Sequence, residues 1–414
     1  MINSKLHQHF CAQNNRLSDW YCSKIKNISY PIYSSYDIRD SGFKISNVDA
    51  NIYPAGFNNI CQTDRDNAGD LAKKYLGHHY KSSNKILLLT EEHTNNPYYW
   101  DNVASIRGIL LEAGKQVLVA IPKKIDQPLL LKSAKGVEVE VHSGFGSSSQ
   151  VQSFQPDLVI SNNDFSQAQE EWAESIHIPV NPPRGMGWFQ RKKSRYFKFY
   201  NELVTEFSQL SEMDPFLMNV KTDFFAGFDA EDPQSLQRLA QAVDAMIESI
   251  RVEYEKRKIS SQPFVFVKNN AGTYGLAVIR VGSGKEILEW NYKARKKMKA
   301  AKGGRDVEDV IIQEGIPSRV QNEGSTAEPV IYMIGSDLAG GFLRSHSEKN
   351  ATESLNSPGA VFKRLCVSDL NVSLDSYPLE NVYGWSARLG LLAIGMEAQE
   401  MNVEFVQFQN NCKD

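Results

Sequence analysis

Residues 264 to 281 read Phe264-Val-Phe-Val-Lys268-Asn-Asn-Ala-Gly272-Thr273-Tyr274-Gly275-Leu-Ala-Val-Ile-Arg-Val281, two β-type apolar runs joined by a short polar loop. A cation at a strand end followed by a glycine loop suits a polyphosphate, because close backbone approach favours residues without a Cβ. A plain hairpin flanked by a lysine fits the same letters. The stretch is neither a Walker A loop, since no Lys-Ser or Lys-Thr follows the second glycine, nor a Rossmann turn opening a helix.

Around it the chain is globular in composition. Of its 414 residues 41% are hydrophobic and 23% charged, which argues against disorder and for two or three packed units. Forty-six basic and 49 acidic side chains leave a formal charge of -3, giving no global case for a nucleic-acid or membrane partner. The basic run Lys293-Ala-Arg-Lys-Lys-Met-Lys-Ala-Ala-Lys302 lacks interleaved aromatics and reads as a solvated helix face. Five scattered cysteines, Cys11, Cys22, Cys61, Cys366 and Cys412, show no paired spacing and suggest neither zinc nor a disulfide framework. With no signal-like N-terminal segment and no apolar run long enough to span a bilayer, a cytoplasmic setting is expected.

Upstream, short buried strands alternate with amphipathic helices, as in an open α/β layer. Strands are expected at Lys85–Thr90, Gln116–Ile121, Val137–His142 and Asp157–Ser161, helices at Tyr98–Ala113 and Ser166–Ser175, and a surface loop at Ser143–Ser153. Helical spacing over Arg191–Leu210 and Pro233–Arg257 connects this unit to a second, with strands at Phe264–Lys268, Ala277–Val281, Val310–Glu314, Val330–Ile334 and Gly341–Arg344 and an apolar helix at Gly384–Met401. The expected division is 1–84, an N-terminal substrate-binding segment packed on the core; 85–190, an α/β domain; 191–262, a helical connection and the start of the second unit; and 263–414, the nucleotide-binding and catalytic region.

Three further stretches carry chemistry. Val310–Glu314 turns polar at Gln313 and Glu314 before breaking at Gly315 and Pro317, a strand edge able to hydrogen-bond a purine or simply a strand end. Arg344 ends a strand, where a guanidinium suits bidentate phosphate or carboxylate recognition or stands solvated. Glu353 and Asn356 flank a Pro-Gly turn and offer oxygen ligands of the kind magnesium takes.

The order of strand-Lys-Gly loop, Gln-Glu-Gly-Ile hinge, strand-Arg and Glu/Asn loop resembles the ATP-grasp superfamily. More closely it resembles a rare bacterial form of glutamate-cysteine ligase, the first enzyme of glutathione synthesis. The resemblance rests on Asp37–Asn59, Glu92–Asn96, Arg191–Arg195, Lys268–Gly275 and Leu355–Gly359 taken together. It implies an α/β (α+β), ATP-grasp-like fold with an N-terminal open α/β domain of the pre-ATP-grasp kind. It also implies ATP and Mg2+ as cofactors, glutamate and cysteine as substrates, and a γ-glutamyl phosphate intermediate. Lys193 and Lys268 would contact ATP phosphates, Gly272, Thr273, Tyr274 and Gly275 would form a lid over them, and Gln313, Glu314 and Ile316 would line adenine and ribose. Lys268 and Arg344 would be catalytic, and Glu353 and Asn356 would bind magnesium.

Arg39, Lys44, Asn51, Asn58, Asn59, His93 and Asn95 would meet the amino-acid substrates. One departure is that many relatives carry their magnesium ligands as Glu-x-Asn on a strand after the last core helix, where this chain has only Asn402-Val-Glu404. Lys268→Ala and Arg344→Ala are expected to abolish turnover with the fold intact. Assembly into a homo-oligomer is left open.

Overall fold

The computed structural model describes residues 2–271, 276–299, 307–374 and 377–406. The open α/β layer forms as expected. Its sheet runs in the spatial order Leu129–Lys132, Glu138–Ser143, Gln116–Ile121, Lys85–Leu89, Leu158–Ser161, Val180–Asn181. All neighbours are parallel except the first pair. Lys85–Leu89 lies centrally with Ile86 to Leu89 fully buried, which is why its apolar run is continuous rather than alternating. Helix Pro97–Glu112 starts where the Asn96 side chain accepts the Tyr99 N–H and proline fills the first turn.

Two local expectations are corrected. Ser149–Phe154 is a short helix inside the expected 143–153 loop, because the Ser148 hydroxyl accepts the Val151 N–H and caps it. The helix expected from Ser166 begins only at Glu170, since the Asp164 carboxylate takes the Ser166 N–H into a local turn and Phe165 and Gln169 have positive φ.

The Phe264–Val281 stretch does form antiparallel strands, Val265–Asn269 and Val278–Val281. They belong to a four-stranded sheet completed by Val310–Glu314 and Thr222–Phe225. Helix Pro233–Lys256, capped by Asp232, covers this sheet and shares a separate core of Leu239, Val243, Ile250, Val265, Val267 and Ile312. The expected connection at 191–262 thus supplies a strand and the main helix of the small unit. Loop residues 272–275, which the sequence assigns to a phosphate lid, lie outside the described residues.

The third sheet is antiparallel, in the order Val361–Leu365, Asp337–His346, Ser325–Ile334, Tyr33–Asp40, Ile45–Asn51. Its last two strands come from the N-terminal segment. That segment is therefore part of the sheet, with Tyr33 paired to Ile334 and Asp37 to Val330. Tyr36 and Ile38 point into the core and Ser35 and Asp37 away from it, the two-residue period of a half-buried strand.

Helix Val382–Glu400 packs across this sheet and against helix Lys193–Ser211. A Cβ on Gly390 would lie 2.4 Å from the Tyr36 ring and 2.8 Å from the Tyr196 hydroxyl. Gly390→Ala should accordingly cost about 1–3 kcal/mol of stability, read as a lower urea midpoint. A midpoint unchanged from wild type would show that the helix and strand can move apart.

Cys61 and Cys366, 305 residues apart in sequence, are joined by a disulfide, which corrects the expectation of no such bridge. No helix among the described residues is long and apolar enough to cross a membrane. In the basic run, Met298 is buried while Arg295 and Lys299 face Glu231, as a solvated helix face requires.

Candidate active site

The small sheet and the large antiparallel sheet face one another across a cleft. Cations and carboxylates alternate along it. Strand Val265–Asn269 brings Lys268 to the cleft, where its ammonium is buried and donates to Gln313 Oε1 at 2.6 Å and to the Val48 carbonyl at 3.1 Å. Burial lowers the Lys268 pKa to about 8; neighbouring Asp49 opposes that and Lys193 reinforces it. Lys193, first residue of its helix, pairs with Asp49. Its N–H is fixed by the Asn270 carbonyl at 2.7 Å, which ties the lysine-bearing helix to the strand end after Lys268.

On the opposite wall Arg344 bridges Asp37, at 2.8 and 3.2 Å, and Glu328, at 2.8 Å. Arg39 holds the other oxygen of Glu328 and donates to the carbonyls of Ala351 and Glu353. The fork geometry of the guanidinium allows this two-sided grip, which an ammonium could not copy.

These residues line one cavity together with Gln313, Glu314, Ile316, Ser354 and Asn356 and an apolar side made by Val48, Phe266, Leu276 and Val278. Four lining carboxylates, Asp37, Asp49, Glu314 and Glu328, face four cations, Arg39, Lys193, Lys268 and Arg344. A second cavity of about 360 Å3, inside the roughly 300–1,000 Å3 of small-molecule sites, opens beside it. The two share Asp37, Asp49, Arg344 and Asn356. Around the second stand Asn51, Asn58, Asn59, His93, Asp164 and Trp188, drawn from the N-terminal strands and from loops at the carboxyl ends of the parallel strands, where open α/β sheets bind ligands. Asn58 Oδ1 is enclosed there with no hydrogen-bond donor among the described residues.

Three sequence-derived assignments fall elsewhere. Lys44 is fully buried with its ammonium 2.6 Å from Glu314 and lines none of the cavities described here. Burial pulls its pKa down and Glu314 draws it back up, so it orders the strand end rather than meeting substrate. Glu314 itself is correspondingly occupied, its carboxylate also accepting the Lys221 N–H. Asn95 is exposed, and neither main cavity reaches it.

Glu353 is held by Lys349 at 3.1 Å and the Asn350 N–H at 2.9 Å, and of the three cavities lines only the third, which adjoins the first along Phe266, Leu276, Val278 and Ser354. Asn356 borders all three.

The sequence reading gave no role to Asp37 and did not pair it with Asp49 on the N-terminal hairpin. Asp37 and Asp49 are direct cross-strand partners, and Ser35 and Asn51 are the next pair on the same face. Burial pushes the Asp37 carboxyl up against the pull of Arg344, with Glu328 raising it further. Asp49 is half-buried, and although desolvation pushes its carboxyl up, Lys193 and Lys268 hold it below the usual carboxylate range. Asp37 and Asp49 thus offer carboxylate oxygens on one face of the hairpin, with Asn51, whose Oδ1 accepts the Tyr53 N–H, on the same face; magnesium takes a few such oxygens when it keeps waters and phosphate oxygens as its other ligands.

The model of the glutamate-cysteine ligase family matches residues 7–398. The chain belongs to that family. It is therefore an ATP-dependent ligase, and its mixed α/β fold agrees with the sequence expectation. A candidate gamma-glutamylcysteine synthetase from Methylobacillus flagellatus KT has a similar structure, with 30% identity, 96% of each chain covered and a TM-score of 0.83. Weaker likenesses are to D-alanyl-alanine synthetase A of Vibrio cholerae, at 15% identity over 78% of this chain and 81% of that one, TM-score 0.36. A glutathione synthetase-like effector of Globodera pallida matches at 12% identity over 87% of this ligase and 84% of its own chain, TM-score 0.34. No curated protein matches in sequence.

Proposed function

We propose that this ligase joins the γ-carboxylate of glutamate to the amine of cysteine through γ-glutamyl phosphate, using ATP across the first cavity and the third that adjoins it, and the two amino acids in the second. The observation that carries this reading is the sharing of Asp37, Asp49, Arg344 and Asn356 by both cavities. A phosphoryl group must pass from nucleotide to carboxylate, so the donor and acceptor sites have to meet at one charged junction. The apolar side at Phe266, Leu276, Val278 and Ile316 suits the adenine, with Gln313 beside it. Lys268, Lys193 and Arg344 face the phosphates. Catalysis of this kind is mainly positioning and neutralisation of charge, and needs no covalent nucleophile from the protein.

Magnesium would be held by Asp37, Asp49 and Asn51 rather than by Glu353 and Asn356. When bound it supplies charge neutralisation at the transferring phosphoryl group. In the next step the amine of cysteine attacks the acyl carbon, forming the amide bond, and phosphate leaves with the electrons of the bond that breaks. Asn58 Oδ1 and the Asn59 and His93 side chains offer polar contacts to the amino acids at the outer end of the second cavity.

The test is ADP release with glutamate, cysteine and other amino acids offered singly and in pairs, with the product identified by mass. Glutamate plus cysteine should give γ-glutamylcysteine and the fastest ADP release. Equal release with glutamate alone, and a faster product from another pair, would replace this reading with that of a ligase for a different acceptor. Asp49→Asn should lower kcat/KM about a hundredfold at limiting magnesium and recover in part at high magnesium. A wild-type magnesium response in that variant, with the response lost in Glu353→Gln, would return the metal to the turn at 353–356.

A further inference from the structure

The disulfide between Cys61 and Cys366 joins two walls of the second cavity. Cys61 follows the short helical turn Phe57–Asn59, whose Asn58 and Asn59 line that cavity with the preceding Gly56. Cys366 follows strand Val361–Leu365, which contributes Phe362 to the opposite wall. Between them runs a chain of ring contacts, of which Tyr332, Phe342 and Phe362 line the cavity: Phe57 sits 4.9 Å from Tyr332, Tyr332 5.5 Å from Phe342, and Phe342 5.2 Å from Phe362. The strand Val361–Leu365 is the outer edge of its sheet, hydrogen-bonded on one side only, so its position depends on these side contacts more than that of an inner strand does.

The backbone geometry of the pair lets the bond form without moving the chain. The Cα atoms are 5.5 Å apart, inside the roughly 4.4–6.8 Å at which two cysteines bridge without backbone movement. Cys61 is buried and Cys366 is part-exposed, so an external reagent meets Cys366 first. The Asp64 carboxylate accepts the Val367 N–H at 2.8 Å. That contact keeps the two segments adjacent with the sulfurs unlinked, so the thiols stay within reach of each other.

We infer that Cys61 and Cys366 are a reversible dithiol–disulfide site, exchanged by low-molecular-weight thiols and disulfides, which fixes the outer wall of the amino-acid cavity. This rests on the reading of the second cavity as the amino-acid site. In oxidation, the Cys366 thiolate attacks a small disulfide RSSR and releases one RS⁻. The Cys61 thiolate then attacks the sulfur of Cys366 in the mixed disulfide, forms the internal bond and releases the second RS⁻. The protein gives up two electrons and two protons, which leave as two RSH. Closed, the bond holds Phe362 against the Gly56–Asn59 turn. Open, it frees the edge strand. An enzyme that consumes a thiol amino acid would thereby bind its substrates better as small thiols become oxidised.

The test uses the full-length chain oxidised with cystamine or reduced with a phosphine, then alkylated and digested. The oxidised protein should give a peptide linking Cys61 to Cys366. On reduction, amide hydrogen exchange should quicken at residues 56–60 and 361–366, a readout that does not depend on activity. ADP release is then followed with glutamate and 2-aminobutyrate, in which a methyl group replaces the thiol so that the acceptor cannot reduce the bond.

Reduction should raise KM for the amino acids by at least about threefold and leave KM for ATP unchanged. Cys366→Ser should match the reduced enzyme under both treatments. Absence of the linked peptide, unchanged exchange at both segments, or a redox response retained in Cys366→Ser would each overturn the proposal. If no amino-acid pair releases ADP in either state, the functional reading fails, and the peptide and exchange data still decide the cysteine site.

Discussion

Lys268→Met should lower kcat/KM for ATP by about a thousandfold while the protein still folds, measured as ADP release beside a circular-dichroism melt. The methionine keeps the length and apolar stem of lysine but removes a buried positive charge from a cleft with little water, where a fixed charge counts for most. The structural loss is smaller. Gln313 Oε1 and the Val48 carbonyl lose a donor, at about 1–3 kcal/mol, while Gln313 keeps its contact to the Thr222 hydroxyl at 3.3 Å.

A pH profile separates the two effects. With its pKa lowered to about 8 mainly by burial, Lys268 in the free enzyme is charged below that pH and neutral above it. In the wild type kcat/KM for ATP should therefore fall as pH rises through about 8. Bound phosphates favour the ammonium, so the corresponding fall in kcat should lie at higher pH. Lys268→Arg, charged throughout, should lose the inflection. Near-wild-type turnover in Lys268→Met would remove this lysine from the chemistry.

The parts of the fold that were legible in the sequence are those governed by local pattern. Lys85–Leu89 is a continuous apolar run because both faces are covered, and Val265–Asn269 and Val310–Glu314 are short β-rich segments bounded by breakers. For the same reason Lys193, Lys268 and Gln313 could be placed before the structure, each at or next to the end of a segment whose type the pattern gives; Arg344 lies inside its strand, which runs on to His346, and the structure brings all four to one cavity.

What pattern could not give is pairing at long range. Asp49-Ala50-Asn51 has the acidic-x-Asn spacing sought near the C-terminus, but it stands on a strand some 280 residues before Ser325–Ile334, joined to it through Tyr33–Asp40. Nothing in the spacing of five cysteines selects Cys61 and Cys366, and only the approach of an edge strand to the helical turn does so. Lys44 was read as a substrate cation because it lies in a polar stretch. Its partner Glu314 is 270 residues away, and a buried ion pair leaves no mark on either neighbourhood.

Arg344→Ala should destabilise the protein by about 3–5 kcal/mol, a large part of the roughly 5–15 kcal/mol that holds a domain together. Here the expectation that the variant would stay intact is corrected. Arg344 stands opposite Glu328 across two strands and grips Asp37 on the next strand of the sheet. Burial alone would lower its pKa, but Asp37 and Glu328 outweigh that and hold it above the ordinary arginine range. Without the guanidinium, buried Glu328 and part-buried Asp37 remain in the cleft, with Glu328 keeping Arg39 and Asp37 left, among the described residues, with no ion-pair partner of its own.

Asp37 already has a raised pKa, and the substitution raises it further. A carboxyl whose folded pKa exceeds its unfolded value loses stability as pH climbs between the two, so the deficit of the variant should be full near neutrality and shrink in acid. Adding Asp37→Asn removes the uncompensated charge and should return part of the lost stability without returning activity. Urea titrations of the two single variants and the double variant at neutral and mildly acid pH measure this coupling. Additive losses with no pH dependence would mean that Arg344 stabilises the sheet by packing alone, and its place at the junction of the two cavities would then have to be argued from phosphate binding only.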